Sequence, residues 1–194
     1  MSPRRALHRL PLVLLLVLRL PVALAQGEPG DALFAMLAQR PHTAVSFVEQ
    51  HFMHLLSRPV ESWGELRFDA PDRLEKRVLE PRREDWVVQG DSLELTRAGR
   101  TRTASLADYP QMRPLIEGLR ATLGGDRATL ERLFTVQYLG DLERWALLLV
   151  PLDPQATPVA QIRIEGTRAR LLEVEVRERD GDRTRLTLRE HDRS

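Results

Sequence analysis

Trp63-Gly64-Glu65-Leu66-Arg67-Phe68-Asp69-Ala70-Pro71-Asp72-Arg73-Leu74-Glu75-Lys76 reads as two strands and the turn that joins them. Side chains alternate across an extended chain, so Gly64, Leu66 and Phe68 point one way and Glu65, Arg67 and Asp69 the other. Pro71 and Asp72 supply turn chemistry, a preset φ and a side chain that bonds its own backbone, and Leu74 reopens an apolar strand. The same division recurs downstream. Leu93 and Leu95 oppose Glu94; Ile162 and Ile164 oppose Arg163; Leu172, Val174 and Val176 oppose Glu173, Glu175 and Arg177; Thr184, Leu186 and Leu188 oppose Arg183, Arg185 and Thr187. One apolar and one wet face is the mark of an antiparallel sheet. Asp180-Gly181-Asp182 sits at hairpin spacing between the last two strands. Trp145 to Val150 is apolar on both faces and reads as a central strand, covered by helix on one side.

Helical spacing appears in three places. Asp31 to Arg40 puts Leu33, Phe34 and Leu37 on one face before Pro41 stops it. Gln111 to Leu123 carries Leu115, Ile116, Leu119 and Leu123 and ends at Gly124-Gly125; Asp126 can then cap a helix through Leu130, Leu133 and Phe134. The segment from Pro151 to Pro158 reads as an irregular loop. The expected fold is therefore mainly β with short α-helices. A curved sheet of roughly ten strands must cover its apolar face, and three short helices cover only part of it. The residues alone leave a lidded trough and a filled core both open, and close packing of interiors favours the filled core.

The quoted stretch, Gly-x-Leu-x-Phe, a proline-centred turn and a strand opening on a large apolar residue, resembles the LolA family of periplasmic lipoprotein carriers. Pro81 followed by Trp86 to Leu93 is similar to the family's continuation, and Thr43 to Gln50 to its first strand, where a Ser-Phe pair and a Gln recur. The resemblance covers most of the chain after residue 30 and implies an incomplete β-barrel, an open antiparallel sheet with a helical lid over an apolar cavity. It reverses the preference for a filled core. One departure stands out: carriers of the family often place an arginine before the turn proline, where it is thought to tie the lid, and here that position is Ala70. How the lid is held, and whether the cargo is a triacylated lipoprotein, stay open.

Arg4, Arg5 and Arg9 precede an apolar run from Leu10 to Leu18, and Ala23-Leu24-Ala25 offers small-x-small cleavage, the pattern of a secretory leader. Nine residues fall short of the ~20 that span a bilayer. Residues 1–25 are thus expected to be a signal peptide cleaved near Ala25, and 26–194 a single carrier domain in the periplasm. Losing Arg4, Arg5, Arg9 and Arg19 takes 29 basic residues to 25 against 28 acidic ones, a net charge of −3. Of all the basic residues Lys76 is the only lysine, and acids interleave with the arginines, so no basic face for nucleic acid is expected. The absence of cysteine excludes disulfides, thiolate metal sites, a cysteine nucleophile and a lipidated N-terminal cysteine.

Sites of chemistry are sparse. His51 and His54 would face opposite sides of a strand and lack a third ligand. Glu173 and Glu175 read as surface partners for cross-strand arginines rather than as an acid–base couple. There is no nucleophile elbow, Walker loop or dinucleotide loop. The expected function is binding without catalytic residues, metal or cofactor. Leu66, Phe68, Leu74, Leu93, Leu147, Leu149, Ile162, Val174 and Leu186 are assigned to the cargo-facing side, and Leu115, Leu119 and Phe134 to the lid. The resemblance implies an acylated lipoprotein or lipid cargo, an inner-membrane donor complex and an outer-membrane acceptor. A carrier of another lipid or glycolipid, and an envelope sensor or binding module, are the alternatives.

Overall fold

The computed structural model describes residues 29–190. The expected leader and its cleavage point lie outside the described residues. A first meander comprises β1 (His42–Phe52), β2 (Val60–Asp69), β3 (Arg73–Glu80), β4 (Glu84–Gln89), β5 (Ser92–Arg97) and β6 (Arg100–Ser105). A second comprises β7 (Phe134–Gly140), β8 (Trp145–Pro151), β9 (Val159–Thr167), β10 (Arg170–Glu178) and β11 (Arg183–Glu190). Three helices accompany them, α1 (Pro29–Leu37), α2 (Arg113–Leu123) and α3 (Arg127–Leu133).

All eleven strands form one sheet in the order β6-β5-β4-β3-β2-β1-β11-β10-β9-β8-β7. Every pairing is antiparallel, and β1 and β11 join the two meanders at the middle. The quoted stretch forms β2, its turn and the start of β3, with Phe68 opposite Leu74. The free edges β6 and β7 are consecutive in the chain yet do not pair, so the sheet stays open. The connection between them must span the gap, and it carries α2 and α3. The buried apolar residues of α2 and α3 put this connection across the apolar face.

Each helix end has a local cause. Pro114 sits in the first turn of α2, and Gly124-Gly125 ends it. Asp126 caps α3 by accepting from the Thr129 amide at 2.9 Å, and the Thr129 hydroxyl and amide together hold its carboxyl below the usual range. Apolar residues of all three helices and the inner sheet face make one core cluster, with Leu33, Leu106, Leu130 and Leu147 fully buried.

Four expectations are corrected. Trp145 to Val150 forms β8, one strand from the edge rather than central, although its inner residues are buried as a two-sided apolar strand requires. Leu172 faces solvent and Leu171 the core, because a bulge between Leu171 and Glu173 shifts the alternation by one residue. Phe134 does not end the lid helix; it opens β7, buried. Glu173 and Glu175 do pair with the cross-strand Arg185, but Glu175 is only 5% exposed rather than a surface residue, roofed by Arg177 at 2.7 Å and Arg185 at 2.9 Å, with Arg183 at 3.7 Å. Burial opposes its charge, yet those hydrogen bonds hold its carboxyl below the ordinary value.

Candidate functional site

Under α2 the inner face divides into two unlike halves. Over β8 and β9 the helix is pressed close: a Cβ on Gly118 would stand 3.3 Å from Leu149 Cδ1 and 3.8 Å from Ile162 Cδ1. Glycine makes that approach without displacing Leu149, which a Cβ would push aside slightly. Over β2, β3 and β4, although the helix also touches β3, a cavity of about 680 Å³ remains beneath Met112 to Leu119. Leu66, Leu74, Val78, Trp86 and Val88 make its wall, Met112, Leu115, Ile116 and Leu119 its roof, and Leu186 of β11 its side. That volume falls within the roughly 300–1,000 Å³ of small-molecule sites.

The twelve residues assigned from sequence split accordingly. Leu66, Leu74, Leu186, Leu115 and Leu119 come together around the cavity. Phe68, Leu93, Leu147, Leu149, Ile162, Val174 and Phe134 do not line it; each is at most 2% exposed in the packed core. Alternation places all of these strand residues on one face, but how closely a helix covers that face is a tertiary property. Sequence reasoning missed Met112, Trp86, Val78, Val88 and the polar end of the cavity. Trp86 had a visible sign, since it stands two residues before Val88 and so shares that residue's inward face.

The polar end holds Glu49, Ser62, Lys76, Arg82, Glu84 and Arg97. Glu49 stands opposite Ser62, and both point inward by the same parity as Leu66. Lys76 Nζ donates to both Glu49 carboxylate oxygens at 2.7 Å, the Ser62 hydroxyl donates to Glu49 at 2.9 Å, and the ammonium lies 5.1 Å from the Phe47 ring centroid. Glu84 pairs with Arg97 at 2.9 Å. Arg82, exposed in the β3–β4 turn, has no ion-pair partner among the described residues.

The roof helix is tied down from its own side. Ala70 is exposed and contributes only its backbone amide, which donates to Pro41. Arg120 of α2 instead reaches the β4–β5 turn, where Nη1 donates to the Gly90 carbonyl at 2.8 Å. Asp72 accepts from the Gly90 amide at 2.8 Å, so the two turns and the helix share one small network. Arg120 is 6% exposed, and its Nε and Nη2 find no hydrogen-bond partner among the described residues. Desolvation lowers its pKa, against the fields of Glu117, Asp72 and Asp91.

Elsewhere, His54 Nδ1 lies 2.7 Å from Asp182 Oδ1 and His51 Nε2 lies 3.8 Å from Asp182 Oδ2, so the two histidines converge on one hairpin carboxylate. His54 follows the end of β1, which frees it from strand alternation. Among the described residues no group of three or more His, Cys, Asp or Glu is placed to hold a metal, and no helix is long and apolar enough to cross a membrane.

A family model described as "Outer membrane lipoprotein carrier protein LolA-like" matches residues 23–192. No curated protein matches the chain. Among solved structures it is similar to a LolA superfamily protein from Nitrosomonas europaea, at 11% identity and TM-score 0.45 over 86% of this chain and 93% of that one. It is also similar to a DUF1329 family protein from Desulfovibrio piger, at 11% identity and TM-score 0.46 over 84% and 92%. A third is the lipoprotein LppX of Mycobacterium tuberculosis, at 10% identity and TM-score 0.41 over 84% and 95%.

Proposed function

The chain belongs to the LolA-like family of outer membrane lipoprotein carriers, and on that premise we propose that it is a periplasmic carrier that hides the acyl portion of a lipoprotein or lipid under α2. The observation that carries this reading is the 680 Å³ hollow, walled by leucine, valine and tryptophan and roofed by one amphipathic helix. Its work is binding. Hiding about 14 methylenes of an acyl chain is worth roughly 11 kcal/mol at about 0.8 per methylene, so such a cargo does not cross water unaided. Cargo is taken from an inner-membrane donor and handed to an outer-membrane acceptor that offers equivalent apolar contact. Release stays cheap because nonspecific contact and a movable lid hold the chain without a specific lock.

Volume narrows the cargo. At about 680 Å³ the cavity has the size of a site for one small molecule. A space of that size suits one acyl chain better than three. The resting cavity thus favours a singly acylated lipid as a second reading beside the lipoprotein. Purifying the protein from periplasm and identifying copurified material by mass spectrometry tests both. An acylated peptide supports lipoprotein transport and a free lipid supports the second reading. Protein recovered empty under every condition, and bound to a regulatory protein instead, overturns both.

A further inference from the structure

The cavity is chemically two-ended, and its polar end is built rather than incidental. Lys76, alone of its kind in the sequence, stands between Leu66 and Trp86 on the wall, where a leucine would continue the apolar surface. An ion pair in such a place is weak evidence of stabilisation, since a well-packed apolar pair does as well. Lys76 and Glu49 neutralise each other, and two of the ammonium's three N–H groups go to Glu49, so what this part of the hollow offers a ligand is one further Lys76 N–H and the one surplus positive charge, that of Arg82, unpaired among the described residues. Glu84 and Arg97 cancel. We propose that the ligand is an acyl amphiphile with an anionic oxygen-acid head, a carboxylate or a phosphate monoester, whose chain lies under Leu115 and Leu119 and whose head is held by Lys76 and Arg82. Lysine suits this task because its compact ammonium carries three donors, so it can keep Glu49 neutralised and still give one N–H to a ligand oxygen without moving the strand.

This inference rests on the acyl-carrier reading, and the experiment separates the two. The purified protein is titrated at pH 8, where carboxylates are ionised, with myristate, tetradecyl phosphate, neutral monomyristoylglycerol and inorganic phosphate, all below micelle formation. Both anionic amphiphiles are expected to bind at least about tenfold more tightly than the neutral one, a charge-assisted preference that shrinks with added salt. Inorganic phosphate is expected to bind far more weakly than tetradecyl phosphate. Lys76→Met is expected to abolish the preference and Lys76→Arg to restore part of it. Arg82→Gln, on an exposed turn that cannot disturb the core, is expected to reduce it. Equal binding of the anionic and neutral amphiphiles overturns the head-group assignment while leaving the acyl reading intact. Inorganic phosphate binding as tightly as tetradecyl phosphate overturns the amphiphile, and failure of every chain to bind overturns both readings.

Discussion

Leu115→Asp puts a charge into the roof of the hollow at a position already half-wet. Leu115 is partly buried and faces the cavity from α2. Losing about half of a leucine's burial costs roughly 1 kcal/mol, and the poorer helix propensity of aspartate adds about 0.5. Against a stability of about 5–15 kcal/mol the variant stays folded. Binding suffers more. A bound chain must keep three or so methylenes away from the carboxylate, a loss of about 2.4 kcal/mol at 0.8 per methylene, or roughly fiftyfold in affinity. Trp86 lines the cavity, Trp145 is buried in the core and donates to the Arg168 carbonyl, and Trp63 is exposed outside the cavity, so the part of a brominated acyl chain's quenching that is lost in Trp86→Phe reports the cavity. The assay is that quenching, with Trp86→Phe as the blank. Leu149→Ala is the control: Leu149 is fully buried in the sealed half, so it should cost about 2–5 kcal/mol of stability and leave the affinity of the folded protein unchanged. Unchanged affinity in Leu115→Asp, together with weakened binding in folded Leu149→Ala, would refute the placement of the ligand.

The outer face and the lid give further tests. Glu175 has a depressed folded-state pKa, so its stabilisation is present above the unfolded carboxylate value of about 4.3 and is lost as pH falls through the lower folded value. Urea denaturation should show Glu175→Gln less stable by about 1–3 kcal/mol at pH 7, with the gap to the wild type closing on acidification. Arg120→Met removes the tie to Gly90 but also relieves a poorly satisfied buried guanidinium, so global stability should shift by no more than about 1 kcal/mol; amide exchange over residues 113–123 should accelerate several-fold, read by mass spectrometry. Gly166→Ala would place a Cβ 2.2 Å from Trp145 Cζ2 and 2.4 Å from the Arg170 carbonyl, and neither the indole nor the strand can yield. A loss of about 1–3 kcal/mol or more, with altered near-ultraviolet dichroism from Trp145, is expected. Phe68→Glu, which sequence reasoning offers as a test of ligand contact, instead tests folding, because Phe68 is 1% exposed inside the core.

What could be read directly from the residues was everything governed by local rules. The period of two around Leu66, Leu93, Ile162 and Leu186, the Asp180-Gly181-Asp182 turn, the Asp126 cap and the Gly124-Gly125 stop each act over a few residues, so the antiparallel sheet and its helices were legible. The same rules slipped at Leu172, because a bulge changes the parity without leaving a mark in composition. They also slipped at Phe134, where an apolar residue suits the end of a helix and the start of a strand equally well.

The apolar sheet face and the existence of a covering helix belong to the sequence, because alternation and helical periodicity are properties of neighbours along the chain. Which half of that face is packed and which is hollow was decided only in three dimensions. Gly118 eases the approach of α2 to Leu149 and Ile162, while the same helix leaves a hollow over β2 to β4, where Lys76 meets Glu49 from a strand two places away. No local pattern distinguishes a leucine that touches a helix from one that faces a cavity. The difference lies in the distance between elements far apart in the chain, which the packing of the whole core sets.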